Sequence, residues 1–442
     1  MVSSAADIVC FSHLGWDLVF QRPNHLMSRA AANRRVFYVE EPQPAERPGL
    51  AMRIRQGGVV VVTPRVPERV TGTARTAMLR LLVDTLITSE RIERPQLWYY
   101  TPLALAWTDH LDAESVVYDC MDELSAFRNA APELRRLEPE LLRRADVVFT
   151  GGHRLYEAKR NAHPDVHAFP SAVDVAHFRR ARTSSVEPED QEGLPHPRIG
   201  YFGVIDERMD IDLLRGVATR RPDWSIVLVG PIVKIAREDV PDLPNIHLLG
   251  PKPYAELPTY LAGWDVAIMP FAKNEATAFI SPTKTPEYLA GGRPVVSTSI
   301  ADVVQPYGEM GLARIADDPD AFVAAIEDSL ADDSAERLAV ADAFLAGMSW
   351  DRTWQAMDAH AQRAAARRLV ARQPVLEPAG RREPRLTRPA VRLPASPASP
   401  ALSGMGPRGL GTMSGQAVPT DRTRQVPAAA GGASSVMRRR SQ

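Results

Sequence analysis

At 442 residues and 45% apolar, the chain is long enough for two core-forming domains plus further segments. No run of about 18 apolar residues occurs, which excludes a membrane-spanning helix of ordinary length. Two cysteines exclude a disulfide scaffold, and no Cys/His cluster has zinc spacing. The formal net charge of −1 hides an asymmetry: from residue 373 onward eleven Arg face only Glu377, Glu383 and Asp421, giving +8, so residues 1–372 carry −9.

The first apolar run, Asp7 to Ser12, reads as a buried strand and follows Met1 too closely to be a secretory signal. Pro23 to Asn33 reads as a helix and Arg35 to Val39 as the next strand. Between them lies SHLGWDLVFQRP, at the carboxyl end of the first strand, where open α/β sheets bind ligands. His13, Trp16, Asp17, Gln21 and Arg22 make this loop dense in polar and aromatic groups. The dinucleotide-binding Gly-x-Gly-x-x-Gly is absent, so NAD is not expected. Arg53 to Arg55 and Val59 to Val62 flank Gly57-Gly58 as a hairpin. A helix over Thr76 to Ile87 precedes strands at Leu97 to Tyr100 and Val116 to Tyr118.

After the latter strand come Asp119, Asp122 and Glu123. Crowded carboxylates can raise one another's pKa and supply a base, and Asp122 with Glu123 equally fits a helix cap. Leu134 to Arg144 reads as helical, with Pro139 as a kink or the true start. Asp146 to Thr150 is a strand, Gly151-Gly152 a turn into a helix, and Val166 to Phe169 a strand. His163 and His167 are four apart, but Pro164 argues against one helix presenting both to zinc. Cys10 and Cys120 are expected as buried free thiols of a cytosolic protein.

Residues 181–196 are polar with Pro and Gly and read as a linker. The strand–helix pattern then restarts, with strands at Arg198 to Phe202, Trp224 to Val229 and Ile246 to Leu248, and a helix over Tyr254 to Ala262. Asp210-Ile211-Asp212 has an Asp-x-Asp form, but residues two apart on a helix do not face each other. Asp265 to Thr298 carries the strongest signal. Val266 to Met269 is a strand, and a helix starts at Ser281-Pro282 or one turn later at Thr285-Pro286. Gly291-Gly292 stops that helix before a strand at Val295 to Thr298. A helix start favours an anion, and Thr283, Lys284 and Glu287 can share a face there. A surface helix with an ordinary Lys–Glu pair has the same spacing. Helices over Asp318 to Leu330, Ala335 to Leu345 and Trp350 to Arg372 complete the ordered pattern. Residues 373–442, rich in Pro, Ala, Ser, Gly and Arg, are expected to be disordered.

The stretch around Glu287 and Gly-Gly-Arg-Pro-Val-Val resembles the donor-binding region of retaining GT-B glycosyltransferases of family four, the group 1 glycosyl transferases. SHLGWDLVFQRP resembles a bacterial cell-surface glycan subgroup of that family, which includes teichuronic-acid-type transferases. FPSAVDVAHF (169–178) is similar to its inter-domain segment. The resemblance implies an α/β GT-B fold: two Rossmann-like domains (1–180 and 197–349) facing across a cleft, and a last helix (350–372) returning to the first domain. It implies transfer of a sugar from a nucleotide diphosphate sugar to a glycan or lipid-linked acceptor in the cytoplasm, with no cofactor, no metal and no nucleic-acid partner.

By the same resemblance Glu287 would hold the ribose. Gly203, Arg208, Gly230, Ser281, Thr283 and Lys284 would surround the donor. Asp122 stands nearest to where the family often carries a catalytic-site His, and His13, Asp17 and Arg22 join it as candidates for acceptor or pyrophosphate contacts. The family's first motif Glu is replaced by Phe279. An epimerase on the same fold, or a catalytically silent nucleotide-sugar-binding partner of an assembly complex, therefore stays open. The basic tail is expected either to stay solvated, folding back on the acidic body, or to touch an anionic membrane surface, which would make the protein peripheral on the inner face.

Overall fold

Short β-branched and aromatic runs become strands buried on both faces, as parallel sheets require. The computed structural model describes residues 6–55, 57–332 and 335–372; the expected tail, 373–442, lies outside them. The first sheet is built from β1 (Ile8–Phe11), β2 (Val36–Val39), β3 (Gln43–Pro44), β4 (Gly49–Ile54), β5 (Val60–Val66), β6 (Gln96–Tyr99), β7 (Ser115–Cys120), β8 (Val147–Thr150) and β9 (Val166–Ala168). Their spatial order is β3-β5-β2-β1-β6-β7-β8-β9, and β4 pairs antiparallel with β5. That antiparallel pair is the expected hairpin. Gly57 and Gly58 turn it with φ of 86° and 83°, a backbone region open to glycine at no steric cost.

The second sheet comprises β10 (Arg198–Phe202), β11 (Ser225–Val229), β12 (Ile246–Gly250), β13 (Val266–Met269), β14 (Val295–Ser297) and β15 (Arg314–Ile315), in the order β12-β11-β10-β13-β14-β15 and parallel throughout. Each sheet therefore has a switch of winding direction beside its first strand. Loops leaving the carboxyl ends of β1 and β10 open there into a crevice.

Two segments depart from the pattern read in the sequence. Pro139 lies inside the helix Leu134–Arg144 rather than at its start. Leu134, Leu137, Leu141 and Leu142 are buried at helical spacing, and this packing outweighs the lost backbone bond. The polar segment 181–196 is not a free linker. Gln191 is fully buried, donates to the carbonyl of Tyr260 at 3.0 Å and accepts from Trp264 Nε1 at 2.8 Å. Val173, Phe178 and Ala181 already belong to the second core, so the chain crosses over before residue 180.

The helix Trp350–Arg372 lies against the first sheet. Trp350, Trp354, Met357, Ala361 and Ala364 form its buried stripe, with Trp354 beside Trp98 at 5.8 Å. Ion pairs run along its flank, among them Arg34–Asp358 at 2.5 Å and Arg368–Asp146 at 2.7 Å. Beneath it sits a fully buried pair, Arg22–Asp119, at 2.8 Å. Arg22 also donates to the carbonyl of Phe169 at 2.6 Å and reaches Met357 Sδ at 3.7 Å.

Removing one partner of a buried ion pair strands the other charge, at a cost of about 3–5 kcal/mol, whereas replacing both by apolar groups costs far less. Asp119→Ala is therefore expected to lose stability on that scale in urea unfolding, and Arg22→Met combined with Asp119→Leu to recover much of it. Equal losses in the single and double variants would contradict the assignment.

Candidate functional site

The loops that follow β10 and β11 approach one another so closely that only glycine fits. Gly203 has φ 139° and Gly230 φ 151°. A Cβ on Gly230 would enter the Gly203 carbonyl, and one on Gly203 would overlap the Lys284 side chain. The third contributor is the helix Lys284–Ala290, which begins after Thr283, between the two expected starts at Ser281-Pro282 and Thr285-Pro286. Ser281 and Pro282 belong to the loop before it, and Ser281 faces Gly152 of the first domain. Thr283 precedes the helix without making a side-chain cap. Lys284 Nζ lies near the rings of Tyr201 and Phe271, at 5.5 and 5.8 Å from their centres. Glu287, one turn on, is buried. Burial pushes the Glu287 carboxyl up and the Lys284 ammonium down, and the opposite charge of each resists the shift in the other. Arg208 lowers Lys284 further. An anion delivered here would favour the charged lysine.

Arg208 is aimed by a carboxylate that was not singled out from the sequence. Buried Asp206 accepts from Arg208 Nε at 3.0 Å and from Nη2 at 2.8 Å, a two-point grip that fixes the guanidinium plane. The signal was the Asp-x-Arg spacing in a tight loop. Across the crevice, the ring of Phe127 receives Arg208 at 5.6 Å and Lys234 at 4.6 Å. The Arg128 backbone N–H donates to Glu207 at 3.0 Å. Asp122 is half-buried beside these cations, and its carboxyl is pushed up to about 6, chiefly by burial and against the pull of Arg208. His13 is held down to about 4 by burial and by Lys234, and its Nδ1 has no hydrogen-bond partner.

A cleft of about 820 Å³ joins Trp16, Asp17 and Gln21 from the first domain to Gly203, Arg208, Gly230, Thr283, Lys284 and Glu287 from the second. Trp16 is buried edge-on against Tyr38 at 4.9 Å, and exposed Asp17 is tied to Arg55 at 2.6 Å. Gln21 starts the first helix, its backbone N–H donating to Asn24 at 3.0 Å. Arg22, His13, Asp122 and Ser281 do not line this cleft. Arg22 is withdrawn into its pair with Asp119, because a guanidinium with a buried carboxylate gains more there than at a loop surface.

Tyr254 also lines the cleft. Its ring stacks on His177 at 4.3 Å and on Phe20 at 4.6 Å, and its buried hydroxyl has no hydrogen-bond partner among the described residues. In the sequence it read only as the first residue of a helix.

Residues 196–332 match the family model of group 1 glycosyl transferases. The Bacillus subtilis protein named as the teichuronic acid biosynthesis glycosyltransferase TuaH is 28% identical over 236 residues. That match takes in 50% of this chain and 59% of the relative, so the chain spans under two thirds of the relative's length. Among solved structures, a UDP-forming trehalose-phosphate synthase from Burkholderia xenovorans superposes with a TM-score of 0.60 at 13% identity, over 82% of this chain and 99% of that one. A sucrose-phosphate synthase from Thermosynechococcus elongatus gives 0.59 at 15%, over 83% and 100%. Anabaena HepE, solved with UDP and glucose, gives 0.57 at 16%, over 79% and 98%. Such identities speak for the fold alone. Residues 196–332 are thus a group 1 glycosyl transferase domain, carried in a chain of GT-B architecture.

Proposed function

We propose that this protein is a glycosyltransferase that moves a sugar from a nucleotide diphosphate sugar to a glycan or lipid-linked acceptor in cell-surface polysaccharide synthesis. The observation that carries the proposal is the convergence of Gly203, Arg208, Thr283, Lys284 and Glu287 on one cleft within a group 1 domain. In the reaction the bond from the sugar's anomeric carbon to the diphosphate breaks and a bond to an acceptor oxygen forms. Negative charge builds on the departing diphosphate. Arg208 and Lys284 offset it, and their effect is large in a half-buried site. The two glycines let the phosphates approach the backbone. Glu287 accepts hydrogen bonds from the ribose hydroxyls. Neither a metal nor a protein nucleophile is required by this scheme, in keeping with retention. On the acceptor side, Asp122, within the field of Arg208 though outside the cleft lining, is the candidate to take the hydroxyl proton, and His13 is the second candidate. The cytoplasm is the compartment in which nucleotide sugars would be met.

One observation favours a second reading. Phe279, which replaces the family's first motif Glu, packs against the core of the first domain rather than lining the cleft. A nucleotide-sugar-binding protein that has lost turnover, or an epimerase, would tolerate this. Incubation with a panel of nucleotide sugars separates the readings: release of nucleoside diphosphate supports the transferase, an altered sugar supports the epimerase, and binding without either supports the silent partner.

Glu287→Ala is expected to weaken binding of the preferred nucleoside diphosphate by about 1.5–3 kcal/mol, the scale of hydrogen bonds to a charged group, as read by calorimetry. Lys284→Ala should weaken diphosphate binding far more than binding of the free nucleoside. Equal losses for both ligands would remove the phosphate role.

The raised Asp122 pKa gives a pH test with a definite sign. Its folded value of about 6 exceeds the ordinary carboxylate value, so the native state holds the proton more tightly than the unfolded chain. Stability is therefore lost as pH rises from about 4 through 6. Turnover that needs the ionised carboxylate should rise over the upper part of the same window. Asp122→Asn is expected to abolish that rise and to unfold at a higher temperature than wild type at about pH 7, but not at about pH 4. A pH–rate profile unchanged in the variant rules out the assigned role.

The basic residues after 372 supply a reason for attachment to anionic lipid on the cytoplasmic face, each Arg near a surface adding about 1 kcal/mol. Full-length protein is expected to co-sediment with anionic vesicles at low salt, and protein ending at Arg372 much less. Equal sedimentation would move any membrane contact to the first domain.

A further inference from the structure

Away from the cleft, three side chains with metal-binding atoms converge between the edge of the first sheet and the returning helix. Asp165 and His167 are alternate residues leading into and along β9, so they share a face. His360 comes from the middle of the helix Trp350–Arg372. The imidazoles of His167 and His360 have ring centres only 3.6 Å apart. His167 Nε2 lies 2.6 Å from Asp165 Oδ1. One donor atom from each of the three residues falls within 4.8 Å of the others, and no other such group occurs among the described residues.

We propose that Asp165, His167 and His360 form a site for a divalent transition-metal ion of the zinc class, which staples the last helix to the edge of the first domain. Two imidazoles and one carboxylate are a borderline donor set that suits Zn²⁺, Co²⁺ or Ni²⁺ and not Mg²⁺. Tetrahedral bonds of about 2.0–2.1 Å set neighbouring donor atoms roughly 3.4 Å apart. The donor atoms lie within 4.8 Å of one another, with His167 Nε2 and Asp165 Oδ1 at 2.6 Å, so they bracket that separation. The surroundings are those of a metal site. The second oxygen of Asp165 is held by Arg367, which leaves Oδ1 directed at the histidines and orients the carboxylate. The rings of Phe149 and Phe169 form an apolar wall, 6.3 and 6.0 Å from His360. All three ligands are partly exposed, so water can fill a fourth position. His163 is not a ligand: its ring accepts from the Asp165 backbone N–H at 3.0 Å and lies 3.0 Å from the Ala145 carbonyl. The Arg367 charge opposes the ion, so occupancy should depend on metal supply.

The test uses full-length protein without a histidine tag, stripped by chelator, with ZnCl₂, CoCl₂ or MgCl₂ added alone. One equivalent of Zn²⁺ is expected to bind in calorimetry and to raise the unfolding temperature. Co²⁺ should give visible absorption bands, and Mg²⁺ should do nothing. His167→Ala and His360→Ala should each lower Zn²⁺ affinity at least about tenfold and remove the thermal shift, while His153→Ala retains both. A readout on wild type covers variants that fail to fold. Bound Zn²⁺ should protect His167 and His360, but not His153, from acylation by diethyl pyrocarbonate mapped by mass spectrometry. No stoichiometric Zn²⁺ binding, full binding in the His variants, or no selective protection each overturns the proposal.

Discussion

The buried pair of Arg22 and Asp119 is the interaction on which the rest of the arrangement depends. One guanidinium reaches the end of β7 through Asp119, the crossover segment through the Phe169 carbonyl and the returning helix through Met357. Four parts of the chain that are far apart in sequence thus meet at one residue. A buried charge cannot be left unpaired without a penalty of several kcal/mol, so these parts are held together or the structure loosens at all of them. The loop Ser12 to Pro23 is anchored from beneath by its own arginine, and Trp16, Asp17 and Gln21 of this loop line the cleft.

Within the cleft the second domain contributes positive charge that is aimed rather than merely present. Asp206 grips Arg208 from behind, and the rings of Tyr201 and Phe271 confine Lys284. The two glycines keep Cβ atoms out of the space between these cations and the backbone of β10 and β11. Glu287 shares the burial of Lys284, so the ionisation of each depends on the other and on any anion that enters. Under the proposed reaction these groups are fixed where charge would develop, which would leave little reorganisation to the reacting complex.

The two domains also meet through mixed aromatic and charged contacts. Phe127 of the first domain carries Arg208 and Lys234 of the second on its ring, and Phe20 stacks on Tyr254. Phe279 belongs to the same class. At a position where the resembled family uses an acid toward the donor, this chain spends an aromatic side chain on packing against the first core. This packing ties the loop before Lys284 to the first domain.

Strand and helix identity was legible from the residues alone, because buried parallel strands need continuous apolar runs and the helices need a 3.6-residue stripe. Val266–Met269, Leu134–Arg144 and Trp350–Arg372 have the bounds that their patterns imply. Spacing alone left Lys284 and Glu287 open to an ordinary surface ion pair, and they were named as donor-side candidates, with Gly203 and Arg208, through the resemblance to the family. Tertiary structure decided which polar residues of a loop line the cleft and which pair inward. Arg22 and Asp17 look alike in sequence, yet one is buried against Asp119 and the other is exposed beside Arg55. Asp206, Tyr254 and the trio Asp165, His167 and His360 acquire meaning only when elements distant in sequence are packed together. Local spacing encodes local faces, whereas charge pairing, desolvation and metal geometry depend on through-space distance.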